Sequence, residues 1–210
     1  MISDTSPTLY RIAAVAGIGS GIVLLVNAAK RSELIPLTAG TQLVAPLAQI
    51  FALALVVGLY FAFGRRTGIF GLVAFLVNAG ALAALVGVEF VINLVFATIP
   101  VEMIAELRAG PLGLALTVVS VLFLIGTLAF TSSLAITRQV PIAPLALYAI
   151  GAIPVALRSF VPELVLNVGL AVMAGGILWL SVWLLIRVRA AAPAQDYASS
   201  AGLSSRRSQA

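Results

Sequence analysis

The sequence predicts an all-α, polytopic transmembrane bundle of six helices with both termini cytoplasmic, and three observations point that way. Of its 210 residues, 62% are hydrophobic and only 9% are charged, where a soluble domain carries about 25%. The mean hydropathy is +1.18. The apolar residues gather in long continuous runs, without the two-residue alternation that a membrane barrel strand requires. Twelve basic and seven acidic side chains cannot cover the surface of a water-facing body of this size. A disordered chain, a secreted disulfide scaffold and a cytosolic enzyme are therefore excluded, and lipid is the expected solvent.

A helix rising 1.5 Å per residue needs about 20 apolar residues to cross a hydrocarbon layer about 30 Å thick. Six runs approach or exceed this length, at approximately 12–29, 44–63, 69–97, 112–136, 142–157 and 164–186. The first reads as a retained span rather than a cleaved signal peptide. Its apolar run is too long, Asp4 and Arg11 precede it, and no Ala-x-Ala site follows. Between the third and fourth runs, 98–111 opens with a proline and closes with Gly110-Pro111. It sets Val101, Ile104, Ala105 and Leu107 against Glu102, Glu106 and Arg108. Such a short amphipathic helix is expected to lie along the outer interface. The fifth run is short and contains Pro154, which removes a hydrogen bond to the carbonyl of Ile150 and kinks the helix. The spans form one domain over 1–189. The segment 190–210, rich in Ala and Ser and without a periodic apolar face, is expected to be a disordered cytoplasmic tail.

Basic residues orient the bundle. With the N-terminus inside, the cytoplasmic side holds Arg11, Arg65, Arg66, Arg138, Arg187, Arg189, Arg206 and Arg207, while the outer side holds Lys30, Arg31, Arg108 and Arg158. Eight against four places both termini in the cytoplasm, with Lys30 and Arg31 as the dissent. The inner basic rim is expected to meet anionic lipid headgroups, not nucleic acid.

The chain contains no Cys and no His. Thiolate chemistry, histidine-ligated metal or haem and any imidazole-dependent triad are therefore excluded. Asp4 and Asp196 lie in polar terminal segments, so paired intramembrane aspartates are unavailable too. No catalytic residue, metal ligand or cofactor is expected.

Glu89 stands within the third run, in Gly87-Val-Glu89-Phe-Val-Ile-Asn93. An ionised side chain at mid-helix costs about 2.5–3.5 kcal/mol on insertion scales, so this carboxyl should turn into the bundle and find a partner. At 100° per residue, Asn78 and Asn93 fall near the same face and form a polar stripe with Glu89. Arg158, just past Pro154, is the expected partner. A Glu89–Arg158 pair would lock two helices together. Alternatively Glu89 titrates in a small secondary carrier or proton-linked permease, with Asn78, Asn93 and Arg158 along its path. Locking leads, because no second acidic residue lies within the spans to build a relay. Asn27, Gln49, Asn167, Thr117, Ser120, Thr127 and Ser181 read as interhelical hydrogen-bonding residues. Ala13, Gly17 and Gly21, at four-residue spacing, and Ala171 with Gly175 read as close-packing faces, not a nucleotide-binding turn. Tyr10, Tyr60, Trp179 and Trp183 suit packing and the inner aromatic belt.

In Leu9-Tyr-Arg-Ile-Ala-Ala-Val-Ala-Gly17 and Pro144-Leu-Ala-Leu-Tyr-Ala-Ile-Gly151, the chain resembles small six-span bacterial integral membrane proteins of uncharacterised function. The resemblance implies the six-span fold and a bacterial inner-membrane location, and it implies no activity. The function expected is non-enzymatic: an accessory, sensory or partner-binding membrane protein, whose partner is another membrane protein or a second copy.

The orientation is open to test on this naturally Cys-free chain. Ala105→Cys is expected to react with an impermeant maleimide added to intact cells, and labelling only from the cytoplasmic side reverses the topology.

Overall fold

The computed structural model describes residues 7–207, with side-chain surroundings for residues 7–190. Among these the secondary structure is helical throughout, without strands. The helices are α1 (Pro7–Arg31), α2 (Ala39–Val44), α3 (Leu47–Ala62), α4 (Gly68–Phe90), α5 (Val101–Ala109), α6 (Pro111–Ile136), α7 (Ile142–Ala156) and α8 (Glu163–Arg207). A 3-10 turn at Gly64–Thr67 precedes α4, and a π-helical turn at Val91–Val95 extends it. Five helical stretches are long and apolar enough to cross a membrane: Pro7–Arg31, Ala39–Ala62, Gly64–Val95, Pro111–Ile136 and Glu163–Ala190. The sixth expected span is the shorter apolar helix α7, of 15 residues. At 1.5 Å per residue it rises about 22 Å.

Local chemistry accounts for the breaks. Thr38 caps α2 by a reciprocal box: its side chain accepts from the Thr41 backbone N–H at 3.2 Å, and the Thr41 hydroxyl accepts from the Thr38 N–H at 3.0 Å. The second expected span therefore starts earlier than 44, and it is interrupted at Ala45-Pro46, where proline cannot donate to the preceding turn. Gly68, at φ 61° and ψ −138°, turns the chain from the 3-10 segment into α4 through a conformation open to glycine alone.

The long helices close into a ring. In order around it, α1 packs on α3, α3 on α4, α4 on α6, α6 on α7, α7 on α8, and α8 returns to α1. Cross-contacts fix which ends meet. Arg31 at the end of α1 pairs with Glu163 at the start of α8, and Phe63 after α3 touches Trp183 late in α8. One end of the ring thus gathers Lys30, Glu89, Arg158 and Glu163; the other gathers Phe63, Gln139, Trp183 and Arg187. At this second end Arg187 lies 5.5 Å from the Phe63 ring and 5.3 Å from the Trp183 ring. Its Nη1 donates to the carbonyl of Gln139 at 3.0 Å.

Small residues set the closeness of the ring. A Cβ on Gly17 would meet Ser181 and Leu55, one on Gly21 would meet Leu178, and one on Gly58 would meet Ala13. The Ala13, Gly17, Gly21 face is thus where α1 meets α3 and α8. In α8 the expected face is displaced. Ala171 and Gly175 are exposed, and Gly175 has open space around it. The close approaches fall instead at Gly169, against Pro154, and at Gly176, against the backbone of Tyr148 and Pro144. One residue is a 100° rotation, so Gly175 and its neighbour Gly176 look in different directions. Helix α5 has no buried residue and packs on α6. The backbone of α8 continues as helix through Arg207, into the segment expected to be structureless; the side chains of 191–207 and all of 208–210 lie outside the described residues.

The displaced face yields a paired test. Gly176→Val is expected to cost about 1–3 kcal/mol by overpacking, read as a lowered Tm in detergent, while Gly175→Val stays close to wild type. Equal losses in both would refute the assigned face.

Candidate functional site

Glu89 occupies the last α-helical turn of α4. It is 21 residues beyond Gly68, so the site lies toward one end of the bundle, not at its middle. Its side chain is 14% exposed and that of Arg158 20% exposed. Arg158 Nη1 donates to Glu89 Oε1 at 3.2 Å. The π turn that follows α4 presents Asn93, whose Nδ2 donates both to the Glu89 carbonyl at 2.9 Å and to Glu89 Oε2 at 3.0 Å. Single π turns inside helices frequently mark functional positions. Asn93 Oδ1 in turn accepts from Lys30 Nζ at 2.6 Å. The result is a continuous polar chain, Arg158–Glu89–Asn93–Lys30.

The chain crosses the ring instead of running along it. In the ring, α4 sits between α3 and α6, whereas Lys30 belongs to α1 and Arg158 follows α7. Helices α3 and α6 carry no charged residue at all. The cations for Glu89 therefore come from across the bundle. Arg158 can arrive because α7 stops at Ala156, two residues beyond Pro154, and the chain then leaves the helix at Leu157 with φ −92° and ψ 20°.

Asn78 does not join this group. It shares the buried face of α4 but lies eleven residues away, about 16 Å along the axis. There it accepts from the Thr127 hydroxyl of α6 at 3.2 Å, beside the fully buried Tyr148 of α7. The backbone of Asn78 also presses on Gly126, where a Cβ would find no room. The expected single stripe is thus two separate clusters, because helical periodicity fixes the face of a residue and not its depth.

Lys30 is the site residue that the sequence reading placed elsewhere, while Asn27 and Gln49, read as interhelical hydrogen-bonding residues, line the cavity beside the site. Lys30 passed as a loop charge, and its only signal was its disagreement with the charge asymmetry. Its neighbour Arg31 is also engaged, with Glu163 at 3.0 Å, as a solvent-facing pair at 36% and 60% exposure. Such a pair contributes about 0–1 kcal/mol.

A cavity of about 60 Å³ adjoins the polar chain, lined among others by Asn27, Lys30, Gln49, Glu89, Asn93 and Arg158. Asn27 Oδ1 is buried there without a protein partner. A space of this volume and polarity suits ordered water. Both carboxylate oxygens of Glu89 accept hydrogen bonds from protein groups. Chemically, the arrangement can fix three helices at a common depth and hold water beside them.

Glu89→Gln and Arg158→Gln are each expected to lower the Tm in detergent. The double variant should lose less than the sum of the two, by about 0.5–3 kcal/mol of coupling. Lys30→Gln should have the smaller effect, since Lys30 meets Asn93 and not the carboxylate. Additive losses at Glu89 and Arg158 would remove the pair from any role.

Comparison of the chain with protein-family models, with curated proteins and with solved structures finds no match.

Proposed function

We propose that the protein is a non-enzymatic, six-span integral membrane protein of the bacterial inner membrane, acting as an accessory, sensory or partner-binding component. In this reading Glu89 and Arg158 form an intramembrane polar lock. One observation carries it: the Arg158–Glu89–Asn93–Lys30 chain spans the centre of the ring with both carboxylate oxygens engaged. Oε1 ties α4 to the end of α7 through Arg158, and Oε2 holds Asn93, which carries the link to Lys30 of α1.

Chain direction supports a sixth span. Among the described residues α6 and α8 both run from the Arg158 end to the Arg187 end, and α7 returns the chain between them. At about 22 Å it falls short of a hydrocarbon layer about 30 Å thick. Arg158 is thereby held below the headgroups, where a charge needs a partner. On the proposed orientation the Arg187 end faces the cytoplasm and anionic lipid, both termini are inside, and α5 rests on the outer interface. Its exposed Val101, Met103 and Leu107 suit that position.

The carrier reading has one observation in its favour, the cavity of about 60 Å³ beside Glu89. Flux measurements separate the two. In proteoliposomes under a pH gradient, wild type and Glu89→Gln are both expected to show no proton flux above protein-free vesicles. A flux in wild type that Glu89→Gln abolishes, in a variant still folded, would establish the carrier instead.

A further inference from the structure

A second cavity near the site does not contain Glu89. It measures about 200 Å³ and lies between the first turns of α6, the end of α5 and the chain after α7. Its polar lining comprises the guanidinium groups of Arg108 and Arg158 with the hydroxyls of Thr117, Ser120 and Ser159. None of its lining residues is acidic. Arg158 forms the wall between this cavity and the one beside Glu89.

Both arginines have donors to spare. A guanidinium carries five N–H groups, and Arg158 engages Glu89 through Nη1 alone. Arg108 lies 5.4 Å from the ring of Phe96 and makes no ion pair among the described residues. The two like-charged guanidinium residues line one cavity. The fold holds Arg108 in place. Gly113 in the first turn of α6 packs so closely on the backbone of Arg108 that a Cβ there would overlap its carbonyl. The cavity also lies against the N-terminal end of α6, where the helix dipole is positive.

We propose that this cavity binds a phosphate-type oxyanion, either a free phosphate ester or the headgroup of a phospholipid, held between Arg108 and Arg158. Paired guanidinium groups match the oxygens of a phosphate through parallel charge-assisted hydrogen bonds, and the anion offsets their like charge. The hydroxyls of Thr117 and Ser120 now donate to the carbonyls of Gly113 and Leu116 within α6. They can rotate to donate to a ligand instead. At about 200 Å³ the cavity has room for a small organic phosphate. Phe160, 81% exposed at the rim, offers an apolar neighbour for the remainder of a lipid.

The test uses the full chain in a non-ionic, phosphate-free maltoside detergent at constant ionic strength. Glycerol 3-phosphate is the soluble probe, and phosphatidylglycerol added to the micelles is the lipid probe. Either is expected to raise the Tm of wild type, and Arg108→Gln should weaken the response about tenfold in half-saturating concentration, as loss of one charged donor group implies. Arg108→Lys should restore part of it. A response to glycerol 3-phosphate assigns a soluble ligand, and one confined to phosphatidylglycerol assigns a lipid. Arg108 is exposed, on a helix without buried residues, so the variant is expected to fold. The Glu89–Arg158 coupling measured in Arg108→Gln reports separately on the lock. No response to either probe, or an equal response in Arg108→Gln, overturns the site.

Discussion

A carboxylate packed inside a helical bundle must be paired, and the neighbours of α4 cannot pair it. Helices α3 and α6 offer only amide and hydroxyl groups near Glu89. The partners come from α1 and from the end of α7, on the other side of the ring. Each of these must therefore reach the same depth as the last turn of α4. For α1 this means that its final turn, with Lys30, stays within the bundle. For α7 it means that the helix ends early, and Pro154 two residues before the end is compatible with that stop. The short fifth helix and the misplaced lysine are consequences of one constraint.

The rest of the ring is held by proximity, not by charge. Between helices in lipid there is no gain from burying apolar surface, so close van der Waals approach and interhelical hydrogen bonds carry the packing. Glycines at the α1–α3, α1–α8 and α7–α8 contacts let backbones approach where any Cβ would intrude. The α4–α6 contact combines both devices at one level, with Gly126 against the Asn78 backbone and the Thr127 hydroxyl on its side chain. Ser20 adds another, donating to the carbonyl of Ala48 at 2.8 Å across α1 and α3. Polar residues along the helices are spent on single contacts, and only the Glu89 end assembles them into a chain.

What the sequence revealed, and what it hid, follows from which property each feature depends on. Apolar runs depend on composition, so five long helices and a short sixth were legible with ends a few residues off. The Glu89–Arg158 contact was legible because two charges with nowhere else to go constrain one another. Depth was not legible. Asn78 and Glu89 share a face by periodicity, yet about 16 Å of axial rise separates their partners. Rotation within a run of small residues was not legible either: in Ala174-Gly175-Gly176 the pattern permits two faces, and only the opposing backbone of Tyr148 and Pro144 selects Gly176. The π turn that aims Asn93 has no sequence signature in Val-Ile-Asn-Leu-Val.

Lys30 and Arg31 weakened the charge asymmetry as a guide to orientation, and their contacts explain why they should weigh less. Basic residues orient a chain through interaction with the cytoplasmic surface, which requires them to be free to meet it. Lys30 is committed to Asn93, Arg31 to Glu163 and Arg158 to Glu89. Arg108 is the one basic residue at that end without a carboxylate or amide side chain engaged in the structure, and it faces a cavity. At the opposite end, Arg187 rests on aromatic rings and a backbone carbonyl, with no ion pair to a carboxylate among the described residues. Of the two exceptions to the asymmetry, Lys30 is held within the bundle and Arg31 is engaged at its surface, and counting them less favours the proposed placement of both termini in the cytoplasm.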